Sequence, residues 1–199
     1  MAGGTRGHRG ETEAAEQVLR EIAEHGSTRY ACGARLGLGD LARHRGDRDA
    51  ARGHYRQALV QLTDAVMASP QFRSLILTAQ AHLAVETGDL DDAAACLVEA
   101  YGSALAVKDM PVVARVGVGV ADVWQARGDR VRAARVLGAV DALRGSRDLA
   151  SPDVLRLTAW LATHPPLTAP FTEGRLLDRA TALDAVDPHH LLRSALGSS

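Results

Sequence analysis

The chain has 199 residues, 46% apolar but only 4% aromatic, and a formal net charge of −1. That length suits one domain or a short repeat array, and a core so poor in aromatics must be built from Ala, Leu and Val, which favours close-packed helices over a β-sandwich. The balanced charge, without an acidic or basic block, excludes a strong pull towards nucleic acid from the chain as a whole. Lys108 is the sole lysine, an arginine bias expected from a GC-rich genome rather than from a binding surface. Cys32 and Cys96 stand far apart within helical patterns and read as buried, reduced thiols. No signal peptide and no apolar run of about 18 residues occurs, so a cytoplasmic location without membrane contact is expected.

Residues 1–10, "MAGGTRGHRG", are Gly- and Arg-rich without periodicity and are expected to be a disordered lead. Residues 11–25 predict one amphipathic capping helix, ended by Gly26. It falls where the second helix of a repeat would lie, so the chain is expected to start in mid-repeat. Three segments then align on a Gly-Asp pair, with Gly46, Gly88 and Gly128 spaced by 42 and 40 residues. Five residues after each Gly comes Ala51, Ala93 or Ala133. Four further on comes Tyr55, Leu97 or Leu137, and three beyond that Ala58, Ala100 or Val140. Offsets of four and three put these positions on one helix stripe.

Each unit (near 30–67, 72–106 and 112–144) therefore predicts helix, tight turn, helix. The first helices span 30–44, 72–86 and 112–126, and the second helices 48–67, 90–106 and 130–144. The glycine takes the left-handed position after the first helix. Asp47, Asp89 or Asp129 caps the next helix, where a carboxylate also suits the helix dipole. Two of these turns spell Arg-Gly-Asp, but the middle one reads Thr87-Gly88-Asp89. The triplet thus belongs to the turn and is not an adhesion signal.

The array is expected to span 11–145, with a C-terminal helical cap over 146–195. Ser151 reads as an N-cap with Pro152 at the first helical position, and His164-Pro165-Pro166 ends that helix. A loop with a turn at Glu173-Gly174, a short helix from about Asp178 and one more turn in "HHLLRSALGSS" complete the reading. The total expected is about eight to ten helices.

Chemistry finds little support. No phosphate-binding GxxxxGK[ST] loop and no GxSxG elbow occurs, and neither cysteine has an evident His partner. His44 and His54, and His189-His190, lack metal-ligand spacing. "GDLDD" lacks the spaced acids and closing Glu of a calcium loop. The glycines of "ACGARLGLGDL" and "RVGVGVADVW" follow no strand and read as close helix packing. No catalytic residue, cofactor or metal is expected, nor a helix that reads DNA bases.

The offsets of Gly39, Ala42, Gly46, Ala51, Tyr55 and Ala58 resemble the tetratricopeptide repeat. So do Ala81, Ala84, Gly88, Ala93, Leu97 and Ala100, and Ala121, Trp124, Gly128, Ala133 and Leu137. The period exceeds the usual one of about 34 residues. Long repeats of this kind resemble the C-terminal sensor arms of bacterial LuxR-type and SARP/AfsR-like regulators. In those arms a block like "RAARVLGAVDALR" precedes a further helix and "EGR", here Arg132–Arg144 and Glu173-Gly174-Arg175.

The resemblance implies an all-α, TPR-like right-handed superhelix of antiparallel helix pairs. Its first helices would line a concave groove, with Asp40, Arg43, His44, Thr78, His82, Glu86, Arg115, Asp122 and Gln125 facing inward. It also implies a non-catalytic module of a transcriptional regulator that binds a protein or peptide partner through that groove. Two alternatives are a small-molecule effector site lined by Leu36, Val85 and Val118, and a self-associating homo-oligomeric scaffold.

Overall fold

The computed structural model describes residues 4–63 and 69–196. Among them it contains eleven α-helices, one 3-10 turn and no strand. The helices are α1 (Gly4–His25), α2 (Thr28–His44), α3 (Arg48–Thr63), α4 (Pro70–Thr87), α5 (Leu90–Val107) and α6 (Met110–Ala126). They continue with α7 (Arg130–Arg144), α8 (Pro152–Ala162), α9 (Thr168–Arg175), α10 (Arg179–Ala185) and α11 (His189–Leu196), with the 3-10 turn at Pro165–Leu167. Eleven exceeds the expected eight to ten because the C-terminal region holds four. α1 begins at Gly4, so residues 4–10 of the expected disordered lead are helical, while residues 1–3 lie outside the described residues, as do 64–67 of the expected 48–67 helix.

The pairs α2–α3, α4–α5 and α6–α7 share one turn chemistry. Gly46, Gly88 and Gly128 have φ of 82°, 83° and 85°, a backbone region open to Gly without steric cost. The next residue's N–H reaches back to Ala42 O, Ala84 O and Trp124 O at 2.9, 2.9 and 3.0 Å, which satisfies carbonyls that the ending helix leaves unpaired. Asp47, Asp89 and Asp129 then accept from Ala50, Asp92 and Arg132 N–H at 3.1, 3.1 and 3.0 Å. The stripe after each turn is buried: Ala51, Ala93, Ala133, Tyr55, Leu97, Leu137, Ala58, Ala100 and Val140 all lie inside.

The main core runs from α4 to the C-terminal helices, and two smaller clusters serve the α1–α4 end. Ser151 caps α8 as expected, accepting from Val154 N–H at 3.4 Å. Asp178 caps α10 through Ala180 and Thr181 N–H at 2.9 and 3.0 Å. The expected turn at Glu173-Gly174 is instead helical, within α9. A Cβ on Gly138 would stand 2.1 Å from Phe171 O, and one on Gly174 would stand 2.0 Å from Arg135 O. α7 and α9 therefore cross backbone on backbone, and this contact uses Gly174 for its missing side chain rather than for a turn.

Candidate functional site

The first helices of the three pairs carry a repeated polar position. Asp40, His82 and Asp122 each lie six residues before their turn glycine. In a 42/40-residue repeat such positions share one face, and that face receives the first turn of α8. His82 Nδ1 donates to Asp122 Oδ2 at 2.8 Å, and Arg156 Nη2 donates to the same oxygen at 2.7 Å. Arg43 grips Asp153 with both prongs, Nη1 to Oδ1 at 3.1 Å and Nη2 to Oδ2 at 2.7 Å. Its Nη1 also reaches Glu86 Oε1 at 2.6 Å. His82 Nε2 stands 3.8 Å from Asp153 Oδ2, and Arg156 Nη2 stands 3.6 Å from Asp153 Oδ1. Three carboxylates, two guanidiniums and one imidazole from α2, α4, α6 and α8 thus form one cluster.

The cluster is deep. The side chains of Arg43, His82 and Asp122 are 3%, 5% and 1% exposed, and that of Asp153 is 12% exposed. Burial alone would push the Asp122 and Asp153 carboxyls up. His82, Arg156 and, for Asp153, Arg43 outweigh it and hold both below the usual carboxylate range. Burial likewise opposes the charge on Arg43, which Asp153 and then Glu86 restore and strengthen. A second, shallower group adjoins. Tyr55 Oη donates to Asp40 Oδ1 at 2.7 Å, and Arg115 Nη2 lies 3.8 Å from Asp40 Oδ2. Burial, then Asp40, pushes the Tyr55 phenol upward.

Of the nine expected groove residues, Arg43, His82, Glu86 and Asp122 meet in the main cluster, and Asp40 and Arg115 in its neighbour. Exposed His44 touches the edge, its Nε2 accepting from Arg43 Nη2 at 3.1 Å. Thr78 is buried and donates to Ser74 O within its own helix, at 2.8 Å. Gln125 is half-buried outside the cluster. Leu36 and Val118 are buried in core clusters and Val85 packs against one, so this trio is core rather than the lining of an effector groove.

Sequence reasoning missed Asp153 and Arg156. A signal existed. In α8 the apolar residues Val154, Leu157, Trp160 and Leu161 make one stripe, and at 100° per residue Asp153 falls inside it. A carboxylate on an apolar stripe needs a buried partner.

No group of three or more His, Cys, Asp or Glu among the described residues could hold a metal ion. No described helix is long and apolar enough to cross a membrane. No family model, curated protein or solved structure matches the chain.

Proposed function

We propose that the chain is a protein-interaction module, without catalysis, that receives a helix across the face shared by α2, α4 and α6. In this reading the three pairs coil as a TPR-like right-handed superhelix, that face is its inner groove, and α8 is a built-in occupant. The observation that carries it is the convergence of Arg43, His82 and Asp122 from three successive pairs on one turn of α8. Structural burial alone is served by apolar side chains, whereas buried charge fixes which helix fits and how it lies. Placement in the arm of a bacterial transcriptional regulator rests on the resemblance of Arg132–Arg144 and of "EGR".

The test uses the full chain carrying Asp153→Ala and Arg156→Ala, which weakens α8's hold on the face, and a fluorescent peptide spanning residues 151–164. Saturable binding of the peptide is expected. It should be lost when the peptide's Asp153 and Arg156 are exchanged, since each charge then meets its like. Equal binding of native and exchanged peptides refutes recognition by this face.

A further inference from the structure

α8 covers the face without saturating it. Asp122 and Arg43, both almost wholly buried, each keep one polar atom unused. Asp122 Oδ2 accepts from both His82 and Arg156, while its Oδ1 is buried with no hydrogen-bond partner among the described residues. Arg43 commits Nη1 and Nη2 to Asp153, while its Nε is buried and equally unpartnered. A third orphan lies on α8 itself. A helical threonine can return its hydroxyl to the carbonyl four residues back, as Thr78, Thr87 and Thr172 do here. Thr158 does not, and its Oγ1 is buried unpaired.

Few side chains seat α8. Of its eleven residues only Asp153, Val154 and Leu157 are buried. The chain on either side has its own anchors. Before α8, Arg147 donates Nε and Nη2 to Asp141 Oδ2 on α7, at 3.2 and 3.0 Å. After it, α9 crosses α7 backbone on backbone at Gly138 and Gly174. Further on, Leu183 O accepts from Tyr101 Oη at 3.0 Å, and Leu191 O from Arg127 Nη1 at 2.6 Å. None of these anchors uses a residue of α8.

We infer that α8 is a displaceable latch: it closes the face in the resting chain and yields it to a helix of a partner protein that bears an acid and, three residues on, an arginine, along an apolar stripe. This rests on the reading of that face as a receptor for a helix. The partner's acid meets Arg43 and its arginine meets Asp122, as Asp153 and Arg156 do, and its apolar residues replace Val154 and Leu157. It improves on α8 by reaching Asp122 Oδ1 or Arg43 Nε, or by setting an apolar residue where Thr158 leaves a hydroxyl unpaired, since each orphan carries an uncompensated loss of hydration. Tethering gives α8 a high effective concentration, so the face's apparent affinity for a partner is reduced by the fraction of chains in which it stands open.

Fluorescence anisotropy of a labelled peptide spanning residues 151–164, titrated with the full chain, tests this. Asp153→Asn in the chain, which keeps the shape of the side chain and removes its charge, should tighten binding of the native peptide about tenfold. Thr158→Val should act with opposite signs in the two molecules. In the peptide it should tighten binding about fivefold, and in the chain it should weaken binding of the native peptide about fivefold, because each change relieves one of two competitors of its unpaired hydroxyl. Hydrogen exchange, followed by NMR on the ¹⁵N-labelled parent chain with the unlabelled Thr158→Val peptide at saturation, should show residues 152–162 stripped of protection while 168–175 keep it. Parent and Asp153→Asn chains that bind the peptide alike overturn the latch and leave recognition standing. Retained protection of α8 at saturation overturns the latch too, and a Thr158→Val chain that binds as well as its parent overturns the competition. A peptide that binds none of these chains overturns recognition by the face, and the latch with it.

Discussion

Replacing Asp153 by Ala tests how α8 is held. The change removes both bonds that Arg43 makes to α8, at 3.1 and 2.7 Å. The Arg43 side chain is 3% exposed, and it keeps only Glu86, whose side chain is 32% exposed, and the ring of His44. Leaving one partner of a buried pair costs about 3–5 kcal/mol. The chain has one escape, which is to lift α8 and hydrate Arg43. That exposes Val154 and Leu157, now 4% and 0% exposed, at about 1.5–3 kcal/mol each, so about 3–6 kcal/mol. The two routes cost alike, and a loss of about 3–5 kcal/mol is expected from urea unfolding followed by circular dichroism. Hydrogen exchange over residues 152–162 tells them apart, because only lifting strips protection there while the rest of the chain keeps it. Arg43→Met combined with Asp153→Leu should recover most of the loss, since matched apolar replacements of a buried pair are often neutral. A loss below about 1 kcal/mol in Asp153→Ala, with protection of α8 unchanged, refutes the reasoning.

Three further outcomes are expected. Gly138→Ala should destabilise by about 1–3 kcal/mol or more, read as a lower urea midpoint, because the new Cβ meets backbone rather than a side chain that can swing away. Acid should loosen α8: Asp122 and Asp153 are both held below their unfolded value of about 3.9 because His82 and the arginines outweigh burial. Their contribution is therefore full above that value and is lost as pH falls through the lower native ones. Acid titration of Asp153→Asn should accordingly show a shallower loss below about pH 4 than the parent chain. Lys108 ends α5 at φ 53°, where a side chain costs about 1–2 kcal/mol. Lys108→Gly should raise the thermal midpoint by a few degrees, the gain being trimmed by the extra freedom of Gly in the unfolded chain.

The repeat helices were legible because their punctuation is local. A helix that stops on Gly and restarts on Asp writes both events into two adjacent residues, and Gly46, Gly88 and Gly128 take the left-handed geometry that this requires. The stripe Ala51, Tyr55, Ala58 and its counterparts was legible for the same reason, since burial follows helical period. Glu173-Gly174 misled because a glycine that breaks a helix and a glycine that admits a neighbouring backbone look alike in sequence. Only the crossing of α7 and α9, 36 residues apart at Gly138 and Gly174, separates the two. Most of the polar face was visible, since Arg43, His82, Glu86 and Asp122 were placed inward by register. What lies on it was not, because α8 meets that face through contacts 110 and 34 residues apart in the chain.

The charge pattern also explains why α8 lies one way and not the other. An apolar groove binds an apolar stripe in either direction, because hydrophobic burial carries no sense. Here Asp153 and Arg156 stand one turn apart on α8, with Arg43 opposite the first and Asp122 opposite the second. Turning the helix end for end would set Arg156 against Arg43 and Asp153 against Asp122, two like-charge contacts that each involve a side chain, Arg43 or Asp122, almost wholly removed from solvent. Rotating α8 by one residue about its axis would pull Asp153 from the fork of Arg43 and leave that buried guanidinium with Glu86 as its one paired carboxylate. Both errors cost more than the aligned pair gains, since a buried pair nets little while a broken one is expensive. The cluster thus adds little net stability and much discrimination between one seating of α8 and its alternatives.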